Sequence, residues 1–515
     1  MATTNITGSL YYLPFFIFAF IIHSLFRNLL KPGGNQTKLP PMPPALPFIG
    51  HLHLLGSVLP KSFQTLARRY GPLMRLRLGA SSCVIVSNTA VAKEIFKTHD
   101  LSFASRPEFG SSEYFKYRGS RFLLAPYGDY WRFMKKLCMA RLLGVPQLEK
   151  FTEVREQEKE KLVESLMRIC REGKMCDLGS ELIKLTNNTI CRMAMSTRVS
   201  ESNSEAKEVK ELVKTCLALG AKLSVGDVLG PLKILDFSGT GKKLAEAIDK
   251  YDQLMEKIIR EHEEKASKGF DEYQRKDILD ILLEIYRDPT AEIKLSKNDI
   301  KSFMLDIFLA GTDSSVSAME WAMAELINHP QVFNKLREEI NSVVGSNRLV
   351  KESDIPNLPY LQAVIRETLR LHPPGPLIIR ECTEDSEVKG FMVKAKTRVL
   401  INVYAIMKDP EEWSEPEEFV PERFLENPEE RIGEHQMEFK GQNFRYIPFG
   451  SGRRGCPGAS LAMLVMHTTV GSLVQCFDWK LEEGDKVDMS EGSGFSAEMA
   501  RPLLVYPVQH LNPFS

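Results

Sequence analysis

Residues 449–458 read Phe-Gly-Ser-Gly-Arg-Arg-Gly-Cys-Pro-Gly, a stretch that presents one thiol inside a tight loop. Glycines at 450, 452, 455 and 458 free the backbone for positive-φ turns and for close approach to a flat partner, with the sulfur of Cys456 projecting from a rigid hairpin. Such a loop can hold a metal. Arg453 and Arg454 are expected to lower the cost of the thiolate, the form that ligates metals, and to neutralise carboxylates on whatever binds.

The kind of metal follows from the other eight cysteines, at 83, 138, 170, 176, 191, 216, 382 and 476. None lies in a C-x-x-C or beside an H-x-x-x-H, so zinc and iron–sulfur clusters lack the several ligands they need. A lone thiolate suits haem iron. The competing reading is an inert cysteine in a turn. Against it, the five fixed residues of F-x-x-G-x-R-x-C-x-G, at roughly 5% each, recur by chance on the order of 10⁻⁴ times in a chain this long.

Phe449, Gly452, Arg454, Cys456 and Gly458 resemble the haem-binding signature of the cytochrome P-450 superfamily of haem-thiolate monooxygenases. Three further motifs support the resemblance, in the family's order and spacing. Glu367-Thr368-Leu369-Arg370 is similar to its E-x-x-R helix motif, Pro421-Glu422-Arg423-Phe424 to its P-E-R-F motif, and Ala310-Gly311-Thr312-Asp313-Ser314-Ser315 to its oxygen-activation motif. The resemblance covers essentially everything after residue 38. It implies a mainly α fold with a small β region, haem b ligated by Cys456, and NADPH electrons supplied through a separate flavoprotein reductase.

Bulk properties agree. Length would permit two or three domains, but no internal repeat or low-complexity linker follows the N-terminal region, so one large helix-rich domain is the simpler reading. Lys plus Arg equals Asp plus Glu at 67 each, which gives no global field for nucleic acid. Nine cysteines without paired spacing argue for a reducing compartment. Leu10 to Leu30 is about one bilayer thickness of apolar helix, with Arg27, Lys31 and Lys38 on its C-terminal side and no small-x-small cleavage site after it. The expected organisation is a membrane anchor at 1–31, a proline-rich hinge at 32–51 favouring polyproline II, and a catalytic domain at 52–515. The positive charges after the span put the body in the cytosol, and the resemblance to microsomal members of the family implies a single-pass endoplasmic-reticulum protein, with no obligate oligomer expected. The sequons at Asn5, Asn35 and Asn187 are then silent.

Ser296 and Asp299 make a capping-box start, and the run to Asn328 has no internal proline, so it reads as one helix of roughly 50 Å. At its middle the small pair Ala310-Gly311 leaves room for a flat cofactor or O₂. Asp313 and Ser314 follow, an acid beside a hydroxyl that can relay protons from solvent. The family usually has threonine at the Ser314 position. Serine keeps the hydroxyl but loses the methyl that restricts its rotamer. Trp321 and Met323 read as core.

Glu367 and Arg370 share one helix face, where they can pair with each other and with Arg423, a structural role. His372 reads as a helix-terminal residue. By resemblance, Arg380, Arg454, Trp131 and Lys135 face the haem propionates, with Lys135 replacing the family's arginine and giving up bidentate geometry. The resemblance also places substrate against the 105–125 loop, Phe308, the turn at Leu377 and Ile378, and the C-terminal loop near Phe495.

The resemblance implies a monooxygenase. Rival readings are a haem-thiolate isomerase or dehydratase, against which Asp313-Ser314 speaks, and a non-catalytic haem protein, which leaves anchor and relay unexplained. Tyr127-Gly128-Asp129-Tyr130-Trp131, Asp354-Ile355-Pro356-Asn357-Leu358-Pro359-Tyr360 and the segments around 475–490 are similar to a plant microsomal group. That group contains triterpene oxidases, such as β-amyrin 24-hydroxylase and friedelin oxidase, and enzymes of flavone and pterocarpan synthesis. A lipophilic substrate is implied, a pentacyclic triterpenoid in preference to a flavonoid, with methyl oxidation able to continue from alcohol to aldehyde or acid.

Overall fold

Local signals start and stop most helices. A computed structural model describes residues 38–108, 117, 121–197, 239–267, 276–425, 443–482, 484, 486–492 and 497–514, with 208, 211, 212, 215, 216, 218 and 219. The anchor segment and Phe495 lie outside the described residues. Eleven helices matter to the argument: α1 (Leu59–Tyr70), α2 (Asp129–Leu137), α3 (Thr152–Arg171), α4 (Leu178–Met195), α5 (Thr240–Ser267), α6 (Ile278–Arg287), α7 (Lys297–Gly311), α8 (Asp313–Asn328), α9 (Pro330–Val344), α10 (Pro359–Leu371) and α11 (Ala459–Cys476). Prolines open α1, α9 and α10, where the missing N–H costs nothing. Ser296 and Asp299 form a reciprocal capping box at α7, and Asp277 and Asp280 one at α6.

Strands are few. β1 (Leu73–Leu78), β2 (Ser81–Val86), β7 (Arg398–Asn402) and β4 (Leu377–Glu381) form one sheet in the order β1-β2-β7-β4, parallel only between β2 and β7. β3 (Cys176–Asp177), β9 (Leu504–Gln509) and β8 (Phe477–Lys480) form a second, and β5 (Ser386–Val388) with β6 (Phe391–Val393) a hairpin. The helices share one large apolar core, and the first sheet carries smaller clusters on its two faces. α11 is long and apolar enough to cross a bilayer, yet it is mostly buried in that helical core.

Two expectations change here. The described part of the proline-rich hinge is tied to the body: Pro41 accepts from the Arg75 amide at 2.7 Å, and Lys38 accepts from the Met392 amide at 2.7 Å. At Gly50 the backbone turns at φ +63°, and an added Cβ would lie 2.1 Å from the Arg77 carbonyl oxygen. The expected single helix over 296–328 is two, broken at Thr312 with φ −97° and ψ −72°. The hydroxyls of Thr312 and Ser314 donate back to the carbonyls of Phe308 and Ala310, at 3.2 and 2.9 Å, and such back-bonding bends helices. The same Thr312 hydroxyl lies 3.2 Å from Asn187 Oδ1 on α4 and can share its one hydrogen with it, which places that sequon inside a helix–helix contact.

Candidate active site

The cysteine loop is fixed by its own backbone. Cys456 N–H donates to the Phe449 carbonyl at 2.9 Å and Gly455 N–H to Gly452 at 3.0 Å. Gly452 sits at φ +68°, and a Cβ there would lie 2.4 Å from Asp100 Oδ1, so both conformation and space require glycine. Cys456 is the one exposed cysteine of the nine, and the surface it exposes lines an internal cavity of about 370 Å³. Burial deep in the body pushes its thiol up. The amides of Gly458 and Ala459 and the Lys135 ammonium pull the other way.

The arginines next to the cysteine act elsewhere, which corrects the expectation that they stabilise the thiolate. Arg453 pairs with Asp100 at 2.6 Å. Arg454 donates from Nε to the Ala104 carbonyl at 2.7 Å and from Nη2 to Ala125, and its guanidinium lies 4.3 Å over the Trp131 ring. Lys135 reaches back to the loop and donates to the Gly455 carbonyl at 2.7 Å. Trp131 and Lys135 therefore brace the loop and Arg454 and do not line the cavity themselves.

Arg380, from β4, and Arg454 do line the cavity, together with Arg106, which the sequence reading missed. Arg106 donates to the Ile379 carbonyl. Arg106 Nε and Arg380 Nη1 are buried without a hydrogen-bond partner. Burial holds all three guanidiniums below the usual arginine range, aided by repulsion from neighbouring arginines at Arg380 and Arg454: Arg380 lies well below it, Arg454 at about 9 and Arg106 at about 10. Such a cluster calls for anionic groups.

The opposite wall is the helix break. Phe303, Asp306, Ile307, Ala310, Gly311 and Ser314 face the cavity at helical spacing. Phe308 is one position off this stripe and buried outside the lining, so the expectation that it contacts substrate is corrected. Gly311 lines the cavity, but a Cβ there would meet Ile190 Cδ1 of α4 at 2.8 Å, so its missing side chain also serves helix packing. Ser314 lines the cavity and Asp313, exposed, does not. Leu377 and Ile378 line it as the first residues of β4, not as a turn.

Away from the cavity, Glu367 takes two bonds from Arg370, at 2.7 and 2.8 Å, and one from Arg423 at 3.0 Å, with Glu367 and Arg370 wholly buried. Arg370 also donates to the carbonyls of Met407, Pro416 and Glu418, which pins the meander before the cysteine loop. His372 caps α10 and stacks on Trp321 at 4.0 Å, with Nε2 2.7 Å from Glu325 Oε1.

Residues 40–504 match the family model for Cytochrome P450. The chain is 45% identical over 499 residues to 3,9-dihydroxypterocarpan 6A-monooxygenase of Glycine max, covering 95% of this chain and 97% of that one. It is 43% identical over 509 residues to beta-amyrin 24-hydroxylase of the same plant, covering 98% and 99%. Among solved structures, a zebra fish cytochrome P450 with progesterone superposes with a TM-score of 0.74 at 27% identity, over 87% of this chain and 99% of that one. With a helix-rich body, a small sheet region and a cavity onto which the one exposed cysteine opens, the chain belongs to the cytochrome P450 family and is a haem-thiolate monooxygenase of plant type, which draws electrons from a reductase partner and acts on a lipophilic substrate.

Proposed function

We propose that this enzyme oxidises a pentacyclic triterpenoid, with haem b held in the described cavity by Cys456. The observation that carries the reading is the cavity itself: one exposed thiol on one wall, an apolar helix stripe with a hydroxyl on the other, and guanidiniums at the margin. Two unpartnered guanidinium nitrogens, on Arg106 and Arg380, fit the two carboxylates of haem. When bound, a thiolate-ligated haem supplies dioxygen activation strong enough to attack an unactivated C–H bond.

The chain's own residues do the rest. Cys456 Sγ is the ligand, and Phe449, Gly452 and Gly458 shape the loop around it. Arg106, Arg380 and Arg454 hold the carboxylates, while Trp131 and Lys135 keep Arg454 and the loop in place. Ser314 Oγ holds a proton at the cavity wall, and Asp313 passes it from solvent. Leu377 and Ile378 meet the substrate skeleton, and the product alcohol stays apolar enough to rebind for further oxidation. The domain limits are those of the sequence: anchor 1–31, hinge 32–51, catalytic body 52–515. A location on the endoplasmic-reticulum membrane, body in the cytosol, is supported by exposed Leu39, Met42, Leu46, Phe48 and Ile49 directly after the anchor; Phe48 is 76% exposed. The enzyme acts, on this reading, without an obligate oligomer.

A flavonoid or pterocarpan substrate is the second reading, favoured by the 45% identity to the pterocarpan monooxygenase. Yeast microsomes bearing this chain and a plant reductase, given NADPH with β-amyrin-type triterpenes or with pterocarpans and flavones, separate the two by product mass. Added oxygen on a triterpene is expected. Oxidation confined to the flavonoid set reverses the assignment. Cys456→Ala should abolish product from either set.

A further inference from the structure

One charge in the cavity belongs neither to the cysteine loop nor to the arginine cluster. Asp306 on α7 is the sole carboxylate among the described lining residues, and it is only 4% exposed. Arg121, 185 residues earlier, donates to its Oδ1 from Nε at 3.0 Å and from Nη2 at 2.6 Å. The Leu123 amide donates to Oδ2 at 2.9 Å. Arg121 is also buried and lies outside the lining. The residue between these two donors, Phe122, stacks on Trp131 at 5.9 Å and 11°, meets Phe303 of α7 at 5.7 Å, and lines the cavity with Leu123.

We propose that the Arg121–Asp306 pair determines which substrates this cavity admits, by cancelling the carboxylate on its wall and by clamping Phe122 and Leu123 against α7. With the pair intact the wall presents rings and methyls, suited to a neutral polycyclic skeleton. With Arg121 removed, Asp306 becomes a buried carboxylate on the cavity wall without that guanidinium, and a cationic ligand is the cheapest way to neutralise it; with Asp306 made neutral, the wall offers a cation no partner. The inference rests on reading this cavity as the place where substrate lies. A pair that served folding alone would make no distinction between ligands by sign.

That sign is the test. Full-length, haem-loaded wild type is compared with Arg121→Met, Asp306→Asn and the double variant Arg121→Met/Asp306→Leu. Binding of decyltrimethylammonium and of decanoate, both below micellar concentration, is read from the shift of the haem absorption band. Arg121→Met should bind the cation about tenfold tighter than wild type with no gain for decanoate, and Asp306→Asn, whose wall carries no carboxylate, should show no gain for the cation. The double variant, apolar on both sides, should return to within about threefold of wild type for each probe. Equal changes for both probes in Arg121→Met, or none, would overturn the proposal, as would a tenfold gain for the cation in Asp306→Asn. Should Arg121→Met fail to load haem, Arg121→Gln, which keeps a hydrogen-bond donor beside Asp306 but carries no charge, takes its place and should show the same gain for the cation. Neither probe is a triterpene, so failure here leaves the substrate assignment standing. A missing triterpene product leaves this result standing in turn.

Discussion

Ser314 donates its one hydroxyl hydrogen to the Ala310 carbonyl at 2.9 Å while its oxygen faces the cavity. The bond sets the hydroxyl's rest position, and a serine can leave it by a χ1 rotation that threonine's branched Cβ would restrict. Ser314→Ala removes the only hydrogen that position can pass on, so product formed per NADPH should fall about 10- to 100-fold, with NADPH still consumed and hydrogen peroxide released. Ser314→Thr should keep or raise the wild-type ratio. Wild-type coupling in Ser314→Ala would remove Ser314 from the relay. At this scale the sequence was most readable where chemistry is contiguous: Cys456 with its glycines, or Asp313 beside Ser314. It was least readable where partners lie far apart in the chain. Arg121 and Asp306 are separated by 185 positions, and Arg106 looks like any loop arginine until β4 brings Arg380 beside it.

Among elements, α10 does the most with the fewest residues. Its last turn puts Glu367 and Arg370 three apart on one buried face, and Glu367 also receives Arg423 from the Pro421–Phe424 turn and the Val420 amide at 2.9 Å. Four bonds thus converge on one carboxylate with no access to water. Glu367→Ala would leave the buried Arg370 guanidinium and the half-buried one of Arg423 without their carboxylate, a cost of about 3–5 kcal/mol for breaking a buried pair. The meander that Arg370 pins leads into the cysteine loop, so the loss should appear as chain without the carbon monoxide–haem absorption band and not as altered product. Normal haem loading with a changed product would contradict that structural role. The pairing was legible because E-x-x-R is a helix-face spacing. The break at Thr312 was not, because nothing in residues 296–328 resembles a helix breaker as proline does. Two hydroxyls turned back onto carbonyls, and the contact of Thr312 with Asn187, are tertiary outcomes.

Across the whole molecule, α11 is long and apolar enough to cross a bilayer, and packing alone decides against it: it is buried between helices of the main core. The same packing traps acids. Glu320 of α8 lies against α4, where a Cβ on Gly179 would come within 2.2 Å of its Oε1, so glycine makes the room that the carboxyl occupies. Burial, with Asp177 and Glu498 nearby, pushes its pKa up to about 7 from 4.5. A raised acid binds its proton more tightly in the folded state. Its favourable contribution is therefore complete below the unfolded value of 4.5 and is lost as pH rises through about 7. At pH 8 the fold carries a partly buried carboxylate whose cost is of order 1–3 kcal/mol. Glu320→Gln keeps the shape and cannot ionise, so its denaturation midpoint should exceed that of wild type at pH 8, and the gap should close by pH 5. The measurement is a pair of denaturant curves on haem-loaded protein across that range. Parallel pH profiles would mean that water reaches Glu320 freely and that the contact between α4 and α8 is looser than the glycine at 179 implies.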